Sequence, residues 1–354
     1  MSSTEIATSA VGMESPRDSV DSTSSRFPFI TVVVPTYNRA RVLPYLFQAL
    51  AHQCYPADRM ELIVVDNSSS DDTEEVVRRW AEALPFEVRF YRKDNKGPAA
   101  SRNYGGWRAR GEMIAFTDSD CLPVPGWLRV AAREFSNGAG IVCGPFIPVH
   151  SEGEGVLIAQ QPAITYDRGC YPTANLMVRK ADFERVGGFD ERFGLYPWGE
   201  LIAGEDADLA WRIRRTGATA VFAGDALVGH MSTPISLWRL LLRPVVVQII
   251  PALLPRIPEL RTTYLWHRYF NGSAHLLFHL AWIAVLLAAI THLWPLALGA
   301  VPWAWYYVRN VLAPGILHEG LGRGLARTAL FVYLQVACSI VLLFASVRYR
   351  RLVL

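Results

Sequence analysis

Two aspartates one residue apart close the apolar run in Ala115 to Val124, "AFTDSDCLPV". In an extended chain residues i and i+2 point the same way, so Asp118 and Asp120 would offer their carboxylates to one spot. Two hard oxygen ligands with open positions suit Mg²⁺ or Mn²⁺ bridging to a diphosphate. The triplet also reads as a polar turn, because loop aspartates cap their own backbone. Asp66 closes another apolar run, "MELIVVDNSSSDDT". There it either accepts hydrogen bonds from a ribose or base edge or forms an Asx turn with Asn67 and Ser68. Lys96 and Arg102 offer cations to phosphates or a base, with a solvated basic face as the alternative.

A second acidic cluster, Glu205, Asp206 and Asp208, opens "GEDADLAWRIRRTG". Acids favour the first turn of a helix, where they cap amides and oppose the dipole. That setting would lower an aspartate's pKa and leave it a weak base. A weak base still serves when the alcohol proton turns acidic only as the new bond forms. His230 ends a later strand, "TAVFAGDALVGH". A neutral imidazole there would complete a metal site with Asp120, or simply be a hydrogen-bonded residue of the domain.

The elements that must position these groups alternate. Ile30 to Val34 form a β-branched run ended by Pro35, as in a strand buried on both faces. "RVLPYLFQALAHQ" and "DTEEVVRRWAEAL" have helical spacing, and "MELIVVD", "EVRFYRK" and "EMIAFTDSD" read as further strands. "GPAASRNYGGWRAR" is a helix started by glycine. Strands alternating with helices imply βαβ units in an open, mostly parallel sheet. Ligands of such sheets bind outside the carboxyl ends of the strands, where Tyr37, Asp66 and the Asp118/Asp120 pair fall.

From Trp238 onward, eleven arginines, no lysine and two acids, Glu259 and Glu319, give +9, which leaves −6 for the rest of a chain of net +3. The arginines are interleaved with long apolar runs, which points to an anionic lipid surface and away from nucleic acid. His275 to Val308 contains no acid, Lys or Arg, and Thr328 to Val347 is a second apolar run followed by "RYRR". Each is long enough to span a bilayer, the first as one span with an apolar extension or as a tight two-helix hairpin broken at Pro295, and positive charge at Arg348, Arg350 and Arg351 would face the cytoplasm. The expected organisation is a disordered leader over 1–27, a catalytic domain over 28–235 and a membrane-associated helical region over 236–354. Within the last, interfacial helices fall at about 236–262 and spans at about 275–308 and 328–347. The localisation this predicts is the inner (plasma) membrane, multi-pass, with a cytoplasmic catalytic domain. Five scattered cysteines without CxxC spacing read as reduced thiols.

"TVVVPTYNR", "IVVDNSSSDDT", "GPAASRNYG", "FTDSDC", "ANLMVRKADFERVGGFDE" and "GEDADLAWRI" occur in the order and spacing of a known family. From about Ile30 to Ser232 the chain resembles the inverting nucleotide-sugar glycosyltransferases of family 2, with the GT-A fold. The resemblance implies Pro35, Thr36 and Tyr37 around the nucleotide base, Asp66 on base or ribose, and Arg102 near the base. It implies Asp118 near the ribose, Asp120 on the divalent metal, His230 as a further metal ligand, and Asp206, or less favoured Glu205, as general base. No QxxRW follows the acidic turn, which argues for single addition over processive synthesis. The implied donor is a UDP-sugar, with dTDP and GDP as alternatives, and the implied acceptor a hydroxyl of a lipid-linked or envelope glycan. Two other readings compete: a polyprenyl-phosphate acceptor giving a lipid-phosphate sugar, and a non-catalytic nucleotide-binding protein on the membrane.

Overall fold

The computed structural model describes residues 27–94, 97–149, 158–159, 163–193, 203–234, 236–271, 273–314, 317 and 321–354. The expected leader to residue 26, Lys96 and Glu319 lie outside the described residues.

β1 (Ile30–Thr36), β2 (Met60–Asp66), β3 (Glu87–Arg92) and β4 (Met113–Phe116) run parallel side by side. Along β1, Val32 and Val34 face one core cluster and Val33 the other, all fully buried. Alternation of this kind with both faces covered is what a continuous β-branched run specifies. α1 (Leu43–Ala51), α2 (Thr73–Ala83) and α4 (Trp127–Ser136) contribute to the first cluster. α3 (Gly97–Gly106) crosses the second face so closely that a Cβ on Gly105 would stand 2.5 Å from Val33 Cγ1. That approach fixes the height at which Arg102 leaves α3.

The remaining strands are β5 (Cys121–Pro123), β6 (Ile141–Cys143), β7 (Phe146–Val149), β8 (Ile158–Ala159), β9 (Leu176–Arg179), β10 (Ala220–Phe222), β11 (Val228–Met231) and β12 (Thr233–Pro234). The main sheet has seven strands in the order β10-β6-β9-β4-β1-β2-β3, and only β9 runs antiparallel to its neighbours. A small sheet, β5-β11-β7, packs beside it, and β8 pairs with β12. α5 (Lys180–Arg185) and α6 (Glu205–Arg214) complete the body. This is the open, mostly parallel sheet that the strand-helix alternation predicts.

The C-terminal third divides differently from expectation. Ile250, Leu253, Leu254, Ile257 and Leu260, in the stretch expected at a membrane interface, are buried in the same cluster as α6. Their apolar side chains find a protein face there, and Leu237, Trp238 and Leu242 remain exposed. The His275 to Val308 tract breaks just before Pro295, the break that the second of its two expected forms contains. A helix, Ser273–Thr291, is followed by a 3₁₀ segment, Trp294–Ala300, that folds back on it, so a Cβ on Gly299 would meet Ala284 Cβ at 2.8 Å. At ~1.5 Å per residue the apolar part, His275–Thr291, reaches roughly 26 Å, short of a ~30 Å hydrocarbon core. Among the described residues one helix, Gly324–Arg348, is long and apolar enough to cross a membrane, with mean hydropathy 2.3.

Candidate active site

Parallel register sets Thr36 opposite Asp66 and Val33 opposite Phe116, so the chain leaves β1, β2 and β4 at one edge of the sheet. A cleft of 560 Å³ opens there, lined by Pro35, Thr36, Tyr37, Arg102, Asp118, Asp120 and His230 together with Arg39, Asn67, Ser101 and Ser119. Its size is that of a small-ligand site.

The Asp118–Asp120 triplet is not extended. The Cys121 N–H donates to the Asp118 carbonyl at 3.1 Å, closing a turn that gives the two carboxylates different partners. Asp118 Oδ1 accepts from Arg102 Nη2 at 2.8 Å. Asp120 lies 3.5 Å from Arg39 Nη2 and 3.6 Å from His230 Nε2. The triplet is therefore both the turn and a cluster of ligand groups. His230 arrives through strand pairing: β11 sets it opposite Cys121, and the Met231 N–H donates to the Asp120 carbonyl at 2.8 Å. His230 Nδ1 is 3.3 Å from the Met231 carbonyl. A proton on Nδ1 aims the Nε2 lone pair at Asp120.

Burial, then the charge of Asp118, push the Asp120 carboxyl above its ordinary value, while His230 and Arg39 draw it back. A buried acid beside a like charge and an imidazole nitrogen gains from an added cation, so these donors fit a divalent metal. Ligand atoms of Asp118, Cys121 and His230 come within 4.8 Å of one another. Cys121 is fully buried, and burial with both aspartates pushes its thiol far up, which keeps it protonated and outside an oxygen-nitrogen ligand set.

Of the two readings given for Asp66, the structure shows a turn, made with Ser69. Asp66 is fully buried, and both carboxylate oxygens accept from Ser69, from the N–H at 3.2 and 3.1 Å and from the hydroxyl. The strand ends inside the fold, so its terminal acid is spent on the following turn and Asn67 takes the place at the cleft. Arg102 also does more than line the pocket. Buried on α3, it donates from Nη2 to Asp118 and from Nη1 to Glu205 Oε1 at 2.9 Å, joining the cleft to the start of α6. These two acids hold its charge in place against burial.

Asp206 stands in the first turn of α6 and accepts from the Ala207 N–H at 2.8 Å and from the Thr173 backbone. Its carboxyl is not lowered as the helix dipole alone would have it. Burial, then the neighbouring charge of Glu205, push it up to about 7, outweighing Ala207, Arg102 and Thr173. Desolvation exceeds the dipole term because the turn is packed against protein on most sides. An acid poised near neutrality is suited to proton abstraction. Asp208, the third acid, is structural, pairing with Arg212 Nε at 2.7 Å and Arg256 Nε at 3.2 Å. Arg39, at the end of "TVVVPTYNR", is the cleft cation that spacing did not single out. Its partner Asp120 lies far along the chain, and only the fold joins them.

Comparison with known proteins bears on this geometry. Residues 31–189 match the family described as glycosyl transferase family 2. The chain is 29% identical over 219 residues to glycosyltransferase AglE of Haloferax volcanii, covering 60% of this chain and 69% of that protein. It is also 29% identical over 230 residues to validoxylamine A glucosyltransferase of Streptomyces hygroscopicus subsp. jinggangensis, covering 55% of this chain and 53%, about half, of the relative. Its fold is similar to that of the mannosyltransferase PcManGT from Pyrobaculum calidifontis, solved in complex with GDP-Man and Mn²⁺. That match has a TM-score of 0.56 at 21% identity and covers 89% of this chain and 87% of the other.

Proposed function

We propose, from the match of residues 31–189 to glycosyl transferase family 2, that this glycosyltransferase moves one sugar from a nucleoside-diphosphate donor to an acceptor hydroxyl with inversion. The observation that carries the reading is the cleft at the strand ends, where Tyr37, Asp118, Asp120 and His230 meet and Arg102 reaches across to Glu205 beside Asp206. Thr36 Oγ1, buried at that cleft without a partner among the described residues, offers a hydrogen bond to an incoming nucleotide.

Asp120 and His230, with Asp118 beside them, would hold Mn²⁺ or Mg²⁺, which when bound neutralises charge on the departing diphosphate. Asp206 takes the proton from the acceptor hydroxyl as it attacks the anomeric carbon from the face opposite the leaving group. Arg102 pairs with both Asp118 and Glu205 and so reduces the negative charge that the two acids present to the donor phosphates. A UDP-sugar is the first donor to test, with GDP- and dTDP-sugars next. Mn²⁺ accompanies GDP-Man in the Pyrobaculum enzyme, which supports trying that ion first.

The acceptor reading is a lipid-linked or envelope glycan at the inner membrane. Its support is the Gly324–Arg348 helix together with Trp238, Ile290, Trp294 and Phe344, each at least 65% exposed to solvent. Large apolar patches of that kind mark partner or membrane surfaces. Product analysis separates a sugar on hydroxyl from a sugar on a polyprenyl phosphate. The deciding experiment for the whole reading is thermal stabilisation of the full chain by UDP, GDP and dTDP, with and without Mn²⁺ or Mg²⁺. Stabilisation by one nucleotide that needs the metal and is lost in Asp120→Asn supports it, and no response to any nucleotide overturns it.

A further inference from the structure

The stretch Ile249 to Thr263 lies between the catalytic body and the apolar helices, yet it is built into the support of α6. Arg256 Nη2 donates to Asp190 Oδ2 at 2.8 Å, and its Nε lies 3.2 Å from Asp208 Oδ1, one helical position past Asp206 and Ala207. Its guanidinium also sits 5.1 Å from the Phe193 ring centroid. Asp190 belongs to the loop that Asn103 of α3 holds, accepting from the Phe189 N–H and donating to the Phe189 carbonyl. Arg256 thus joins the helix of the candidate base to the loop tied to the helix of Arg102. Gly204 has φ +100°, and a Cβ there would meet Leu253 Cδ1 at 2.7 Å, so the C-terminal stretch touches the residue from which α6 starts. At the far end of α6, Arg215 Nη2 pairs with Glu259 Oε2 at 2.8 Å.

We propose that Arg256 is a positioning residue for glycosyl transfer, and that the Ile249–Ile257 stretch is a brace that sets the first turn of α6, carrying Asp206, against the donor cleft. The consequence is that the chain leading to the apolar helices is part of the catalytic architecture, so a change in how those helices are seated is felt at Asp206. A fork-shaped guanidinium can hold two carboxylates in fixed geometry, which a point charge cannot. The inference rests on the proposed function only for its catalytic half.

The test uses the full chain with Arg256→Gln, Arg256→Lys and Glu259→Gln. Hydrogen exchange is followed over residues 204–214, and release of UDP or GDP is followed from UDP-glucose, UDP-N-acetylglucosamine and GDP-mannose with Mn²⁺. Arg256→Gln is expected to speed exchange at 204–208 by about 10-fold while β1 and β2 stay protected. It should lower kcat by about 10²-fold with donor KM nearly unchanged, because the donor cleft does not touch the brace. Arg256→Lys should restore only part of either effect. Glu259→Gln, which loosens the distal end of α6 beyond the brace, should leave kcat unchanged. Unchanged exchange at 204–208 in Arg256→Gln overturns the brace, whether or not the wild type turns over. Equal loss of kcat in Glu259→Gln overturns the positioning role in favour of general loosening. Absence of nucleotide release by the wild type from every donor counts against the function and leaves the exchange result to decide the brace.

Discussion

At the scale of single residues, the proposed base and the proposed metal pair are separable by experiment. Asp206→Asn removes the proton acceptor and keeps its shape, so kcat should fall by about 10²-fold or more while donor KM holds, measured by initial rates. The wild-type rate should rise with pH through about 7, since Asp206 must be ionised to act. The sign for stability runs the other way. A carboxyl raised above its ordinary value of 3.8 favours the folded state least when ionised, so its cost grows from about pH 4 and is complete above about pH 7. Asp206→Asn should therefore melt higher than wild type at pH 8 and lose that advantage near pH 4. Asp120→Asn and His230→Ala should each raise the Mn²⁺ concentration needed for half-maximal rate. Asp66→Asn should act instead through stability, because Asp66 is bound to Ser69 and does not line the cleft.

At the scale of elements, the register of β1, β2 and β3 is locked at the edge opposite the cleft by one buried acid. Glu61 is fully buried and accepts from Thr31 Oγ1 at 2.7 Å, from the Arg110 N–H at 2.9 Å and from Arg89 Nη1 at 3.1 Å. Burial opposes its charge, but these donors outweigh burial and hold the carboxyl below its ordinary value of 4.5. A lowered acid contributes stability that is present above that ordinary value and is lost as pH falls below it. Glu61→Gln should cost roughly 2 kcal/mol in denaturant unfolding at pH 7, and the difference should shrink below pH 4. Elements were the best part of the sequence to read: β-branched runs, glycine starts and acidic first turns depend on neighbours in the chain. Part of the expected interfacial stretch is covered by protein, which its sequence does not show. Apolar residues between prolines look the same whether lipid or α6 covers them, and here Leu253 and Ile257 are covered by protein.

At the scale of the whole molecule, the exposed apolar surface of the last third calls for a covering. The full chain should sediment with vesicles containing anionic lipid, less so as salt rises, since Arg348, Arg350 and Arg351 follow the Gly324–Arg348 helix closely. Phe344→Asn and Trp238→Ser, both exposed, should weaken sedimentation and leave the melting temperature unchanged. The sequence by itself determined the alternating α/β architecture, the strand ends as the place of chemistry, and which side chains could serve there. Those depend on local propensity, on periodicity and on motif order. Only the tertiary structure decided which groups meet and in what surroundings. It brought Arg39 and His230 to Asp120, turned Asp66 inward to Ser69, and packed Asp206 beside Glu205 so that its carboxyl rises instead of falling. Burial and charge pairing arise between residues far apart in the chain, so no spacing rule encodes them.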